Sequence, residues 1–148
     1  MKHERWIVAG TDFSDGGGNA LAHALNLAEY VQARVALVHA YEDAPEVAGA
    51  PEEPTVRLLT ELAREISVCG AKSRGIHVEA VLRRGAPWEK LVNVATELGA
   101  GAIVVGAVGQ RGAIGTLIGS VTARVLATST FPVLVVPACD PALRRVCA

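Results

Sequence analysis

Short, almost wholly apolar runs alternate along this chain with longer stretches in which apolar residues recur every three or four positions. Trp6 to Ala9 is apolar and stops at Gly10-Thr11-Asp12, the mark of a buried strand bounded by a turn. Asn19 to Tyr30 carries Leu21, Leu25 and Ala28, with Val31 just beyond, at helical spacing. Arg34 to Ala40 predicts a second strand around Val35, Leu37 and Val38. A second helix opens at Pro54 or Thr55, buries Leu59, Leu62, Ala63, Ile66 and Cys69, and is stopped by Gly75. Ile76 to Leu82 alternates apolar and polar residues, the pattern of a half-exposed edge strand. Pro87 suits a first helical position, and the helix after it presents Trp88, Leu91, Val92, Ala95 and Leu98 before Gly99 ends it. Ala102 to Val105 is a fourth strand, a helix runs from about Ser120 to Ser129, and Pro132 to Val136 is a last strand closed by Pro137.

Apolar strands alternating with amphipathic helices predict an α/β fold: a doubly wound parallel sheet with helices on both faces. At 148 residues, 51% hydrophobic and 20% charged, the chain has the size and apolar content of a single domain, 1–148. In such sheets ligands bind beyond the carboxyl ends of the strands, where the strand order reverses. Two such ends stand out, Gly10-Thr11-Asp12-Phe13-Ser14 and Gly106-Ala107-Val108-Gly109. If their strands are neighbours, both loops face one crevice.

A net charge of −1 gives no global attraction to nucleic acid or to an anionic membrane. No apolar run approaches the roughly 20 residues of a membrane span, and no apolar signal core follows Met1-Lys2-His3-Glu4-Arg5. Three cysteines, Cys69, Cys139 and Cys147, form no C-x-x-C pair, which argues against a disulfide framework and a zinc site and makes a reducing cytoplasm the expected compartment. The segment from Glu42 to Pro54 holds Pro45, Pro51 and Pro54 with Asp43, Glu46, Glu52 and Glu53; it reads either as a solvated connection or as a lid over the crevice.

Gly106 to Ser120 carries the most chemical information. Gly106, Gly109, Gly112, Gly115 and Gly119 lie between a buried strand and a helix, and glycine lets a ligand approach the backbone closely. A helix beginning near Ser120 offers unpaired N–H groups and a positive dipole end, so the combination suits a phosphate, with Ser120 capping the helix and donating its hydroxyl. There is no G-x-x-x-x-G-K-[ST] and no G-x-G-x-x-G after the first strand.

Gly106-x2-Gly109-x9-Gly119-Ser120 resembles, without a gap, the motif G-x2-G-x9-G-[ST] of the nucleotide-binding universal stress proteins. Thr11-Asp12-Phe13-Ser14 resembles that family's opening T-D-x-S. Leu37-Val38-His39-Ala40 and Phe131-Pro132-Val133-Leu134-Val135-Val136-Pro137 are similar to its L-x-H-V and C-P-V-L-V-V-P segments. The resemblance covers essentially the whole chain. It implies five strands in the order 3-2-1-4-5 and an adenine nucleotide at the ends of the first and fourth. The cofactor it implies is ATP, with ADP or AMP as alternatives, with or without Mg2+. Carried over residue by residue, Asp12 meets the adenine or ribose with Gly10 beside it, and the Ala40 backbone lines the adenine pocket. Val105 and Gly106 flank the ribose, and Gly109, Gly119, Ser120 and Val121 give N–H groups to the phosphates. Arg111 is added as a cation within the loop. Where many members have Pro or Val before T-D, this chain has Gly10; Ala107-Val108 supply no polar group; and Asp15-Gly16-Gly17-Gly18 predicts a loose approach to the first helix.

Catalytic patterns do not emerge. His3, His23, His39 and His77 form no H-E-x-x-H, and no G-x-S-x-G elbow occurs. His23 falls on a polar helix face, and His39 at the end of a buried strand reads as a hydrogen-bonded structural imidazole. Asp12 either accepts hydrogen bonds from the nucleotide or joins a phosphate-bound Mg2+. The functional expectation is a stress-response regulatory protein in which ATP biases a conformation or the surface offered to a protein partner. Its alternatives are a dimeric interaction module that binds no nucleotide and a slow ATPase. The apolar last strand, Pro132 to Val136, would leave an open sheet edge; the resemblance implies a homodimer through it, the alternative being a cover by the tail from Ala138 to Ala148.

Overall fold

The computed structural model describes residues 4–43, 48, 53–108 and 118–138. Five parallel strands form one sheet: β1 (Trp6–Gly10), β2 (Arg34–Tyr41), β3 (Val78–Arg84), β4 (Ala102–Gly106) and β5 (Val133–Val136). Four helices connect them: α1 (Asp15–Val31), α2 (Pro54–Val68), α3 (Pro87–Leu98) and α4 (Ser120–Thr128). The spatial order is β3-β2-β1-β4-β5, as expected, so the chain winds outward from β1 in both directions.

Strand alternation decides which helix covers which face. Ile7, Ala9, Val35, Leu37 and Val104 point to one side and pack with Ala20, Leu21, Ala24, Leu25 and Ala28 of α1 and Leu62 of α2. Trp6, Val8, Ala36, Val38, Ile103 and Val105 point to the other and meet Leu91, Val94 and Ala95 of α3 and Val125 of α4. Both faces of the three inner strands are therefore buried, which is why they read as continuous apolar runs. Among the described residues, no helix is long and apolar enough to cross a membrane.

Three element boundaries differ from the sequence reading for physical reasons. α1 begins at Asp15 rather than Asn19, because Ser14 in extended conformation caps it, its hydroxyl accepting from Gly17 N–H. The three glycines thus form the first turn of a helix and not a loose approach to one. α2 ends at Val68, well before Gly75, which instead closes a short 3-10 turn, Lys72–Arg74, in left-handed conformation. Its inward stripe is also rotated: Leu62 is buried and Ile66 and Cys69 pack on the core, but Ala63 is exposed and Leu59 is 43% exposed. In their place the inner face takes in Glu65. β3 does lie at an edge of the sheet, starting two residues later than the alternation suggested.

Candidate functional site

The reversal of strand order falls at β1, which pairs with β2 on one side and β4 on the other. Beyond their carboxyl ends, the first turn of α1, which follows the Thr11–Ser14 turn, and the chain from Gly106 to Val108 come into direct contact. A Cβ on Gly106 would stand 3.0 Å from the Gly16 carbonyl oxygen, and one on Gly16 would stand 2.6 Å from that of Val108.

Thr11 organises the turn. It is buried, and each of its polar groups is engaged. Its N–H donates to Val38 O at 2.9 Å, and its carbonyl accepts from His39 Nδ1 at 2.9 Å. Because a carbonyl only accepts, that contact puts a proton on Nδ1 and makes His39 the structural imidazole the sequence suggested. The Thr11 hydroxyl donates to the Glu65 carboxylate, 3.0 and 3.1 Å from its oxygens, and accepts from Phe13 N–H at 3.1 Å. Asp12 Oδ1 takes Ser14 N–H at 3.0 Å and also the Ser14 hydroxyl, folding the side chain back over its own turn. Phe13, between them, has φ of 64°, a conformation that costs a bulky residue about 1 kcal/mol or more. Its ring lies 4.3 Å from that of His39, tilted by 35°.

Beyond the end of β4, two contacts join the ends of the glycine-rich loop. Gly119 N–H donates to Ala107 O at 2.6 Å, and Thr122 Oγ1 donates to Gly106 O at 2.7 Å. Gly119, in extended conformation, is the N-cap of α4, so Ser120 is its first helical residue and not the cap. The first bond within the helix runs from Ala123 N–H to Gly119 O. Ser120, Val121 and Thr122 therefore present N–H groups without intrahelical acceptors. Gly119 does not join them as expected, since its N–H is committed to Ala107.

Gly10 closes β1, where a Cβ would press on Leu91 at 3.1 and 3.2 Å; a bulky Leu91 accounts for glycine in place of valine or proline. The Val105 side chain lies in the core, so only its backbone can face a ligand. Ala40 sits near the end of β2, opposite Arg83 of β3, and is half-buried. Val121 packs against the second core cluster. Gly109 and Arg111 lie outside the described residues, as do residues 44–47 and 49–52 of the acidic segment. Among the described residues, no three His, Cys, Asp or Glu side chains gather to hold a metal ion.

Glu65 is the residue that sequence reasoning missed. Burial raises its pKa above the ordinary 4.5, the Thr11 hydrogen bond works against the rise, and the charge of Asp12 adds to it. A raised folded-state pKa means the native protein holds this proton more tightly than the unfolded chain. The associated stability is present below about pH 4.5 and is lost as pH rises through the folded-state value. Glu65→Gln removes that dependence. The difference in Tm between Glu65→Gln and wild type should accordingly shift in favour of the variant as pH is raised from about 4.5 to 8, read by thermal denaturation across pH.

The model of the universal stress protein family matches residues 5–137. The chain belongs to the universal stress protein family. A universal stress protein of Methanocaldococcus jannaschii is 33% identical over 137 residues, covering 88% of this chain and 80% of its own. Among solved structures, a universal stress protein in complex with cAMP is 28% identical with a TM-score of 0.69, covering 91% of this chain and 98% of its own. A universal stress protein from Archaeoglobus fulgidus in complex with dAMP is 25% identical with a TM-score of 0.67, at the same coverage. Of the motif segments that suggested the family, Thr11 to Ser14 forms the turn between β1 and α1, Leu37 to Ala40 lies in β2, Gly106 ends β4, Gly119 and Ser120 open α4, and Val133 to Val136 is β5.

Proposed function

We propose that this universal stress protein binds an adenine nucleotide, ATP in the first instance, in the crevice beyond β1 and β4, and acts as a regulatory protein. The observation that carries the reading is the close backbone approach of Gly16, Gly106 and Val108 beside a helix N-terminus whose first N–H groups have no acceptor within the helix. Relatives of the same fold bind cAMP and dAMP, which supports an adenine ligand. In this reading Asp12, Gly10 and the Ala40 backbone face the base and ribose, and the Val105 and Gly106 backbones flank the sugar. Ser120, Val121 and Thr122 meet the phosphates, with Gly109 and Arg111 contributing from the loop. Any Mg2+ arrives with the phosphates. The Gly119 side of the loop shapes the cradle through its bond to Ala107.

Calorimetric titration of nucleotide-free protein with ATP, ADP, AMP and adenosine in Mg2+ tests it. Ser120 is exposed, so Ser120→Ala leaves the fold alone and removes one hydroxyl from the phosphate side. ATP affinity is expected to fall about tenfold, the worth of a hydrogen bond to a charged group, while adenosine binding stays as it was. No heat from any nucleotide would favour the interaction-module alternative, and phosphate release on incubation with ATP would favour the slow ATPase.

The same reading includes a homodimer. β5 is an edge strand whose sheet neighbour is β4, and Leu134 is 41% exposed on it. An open apolar edge of this kind is stabilised by pairing with its own copy across a two-fold axis. A monomer in light scattering at micromolar concentration would dispose of it. The cytoplasmic setting belongs to the proposal too, and Cys69 fits it as a thiol whose Sγ donates to Ile66 O at 3.0 Å.

A further inference from the structure

The turn that carries Asp12 is a strained one. Phe13 is held at positive φ, and nothing in its own sequence favours that conformation, since neither glycine nor asparagine occupies the position. Holding it requires contacts from outside the turn. Two are local to the sheet, Thr11 N–H to Val38 O and His39 Nδ1 to Thr11 O. The third comes from α2, where Glu65 reaches Thr11 Oγ1 with both carboxylate oxygens.

That third contact sets a direction. A threonine hydroxyl has a single proton, and an ionised carboxylate can only accept. With Glu65 in place the Thr11 proton points at α2, which leaves the hydroxyl's lone pairs turned to Phe13 N–H at 3.1 Å. Without an acceptor on α2, the hydroxyl is free to rotate, and the bond that secures Phe13 loses its alignment. Accepting a carboxylate here costs desolvation and places it near Asp12. Such an arrangement is retained when a specific contact offsets the cost.

We propose that Glu65 is a positioning residue for the nucleotide site: by orienting the Thr11 hydroxyl it holds the strained Thr11–Ser14 turn in the conformation that presents Asp12 to the ligand. This rests on the nucleotide-binding reading above for its functional consequence. The ordering of the turn stands independently of it.

Two measurements on the full chain separate these. In calorimetric titration with ATP, Glu65→Ala and Thr11→Val should each weaken binding about five- to tenfold. The double variant should be no weaker than the weaker single, because both remove one contact. Glu65→Gln, which keeps an acceptor for Thr11, should recover most of the loss. In amide hydrogen exchange without nucleotide, the Phe13 and Ser14 amides should lose about fivefold of their protection in Glu65→Ala and regain it in Glu65→Gln. Thr11→Val reaches the same contact from the other side and keeps the test open should Glu65→Ala fail to fold. If Glu65→Ala lowers only Tm and binds ATP as wild type does, Glu65 is structural and the proposal falls. If wild type binds no adenine nucleotide, the nucleotide reading falls. The exchange data then decide the clamp alone: unchanged Phe13 and Ser14 protection overturns it, and loss reversed by Glu65→Gln upholds it.

Discussion

Gly17→Ala is expected to destabilise the protein by about 1–3 kcal/mol, while Gly18→Ala, one position on, stabilises it by about 0.5–1 kcal/mol. A Cβ on Gly17 would stand 2.6 Å from Thr11 Oγ1 and 3.2 Å from Thr11 Cα, so something must move. Thr11 cannot yield cheaply, since its N–H, carbonyl and hydroxyl are all bonded to Val38, His39, Glu65 and Phe13. α1 would have to shift away from β1 and carry its packed leucines with it. At Gly18 nothing lies within 4 Å of the added carbon, and its N–H already donates to Ser14 O, so alanine meets no obstacle and removes unfolded-state entropy. Thermal denaturation of the two variants should give Tm changes of opposite sign, each kcal/mol shifting Tm by about 3 °C at this chain length. Equal losses at both positions would mean that the close approach of α1 to Thr11 is not what glycine serves here.

Leu62→Ala should cost about 2–5 kcal/mol, and the loss should concentrate in α2. Leu62 is the one buried residue of that helix, with Ile66 and Cys69 packed less deeply beside it. The outward side offers no second anchor: Val56 and Leu59 are exposed. Removing the Cγ methine and its two methyl groups at the single deep contact leaves a cavity in the core cluster shared with α1 and the sheet that a peripheral helix can only partly close. Native-state hydrogen exchange should show residues 54–68 opening at lower free energy than α1 and β1, whose amides keep their order in the variant. A uniform loss across all elements would show instead that α2 is part of one cooperative unit with the sheet. The functional sequel is that Glu65 leaves Thr11 when α2 detaches, so this variant should also show the Phe13 amide exchange expected of Glu65→Ala.

The inner strands were legible because burial on both faces leaves no polar position in their middle residues: Val8, Val35, Val38 and Ile103 sit in one apolar core or the other. The close approach of two backbones at the end of β4 was legible in the glycine at position 106, where an added Cβ would stand 3.0 Å from Gly16 O. The roles of individual groups were not. Gly119 N–H turned inward to Ala107, and Ser120 stood one place inside the helix. Both depend on where the returning chain meets the end of β4. Asp15-Gly16-Gly17-Gly18 reads as flexible by propensity, yet it is a capped helical turn because Ser14 supplies the cap and Thr11 and Val108 occupy the space side chains would need.

By itself, then, the sequence determined the alternation of elements and the parallel sheet, and through its motifs the universal stress protein family. These follow from periodicity and motif spacing, which are local along the chain. Tertiary structure alone decided that α2 turns Glu65 inward beside Asp12. A glutamate on an amphipathic helix carries the same polar signal whether it faces water or a threonine 54 residues away. Only the packing of Leu62 and Ile66 on the sheet fixes the rotation of α2, and with it the partner of that carboxylate.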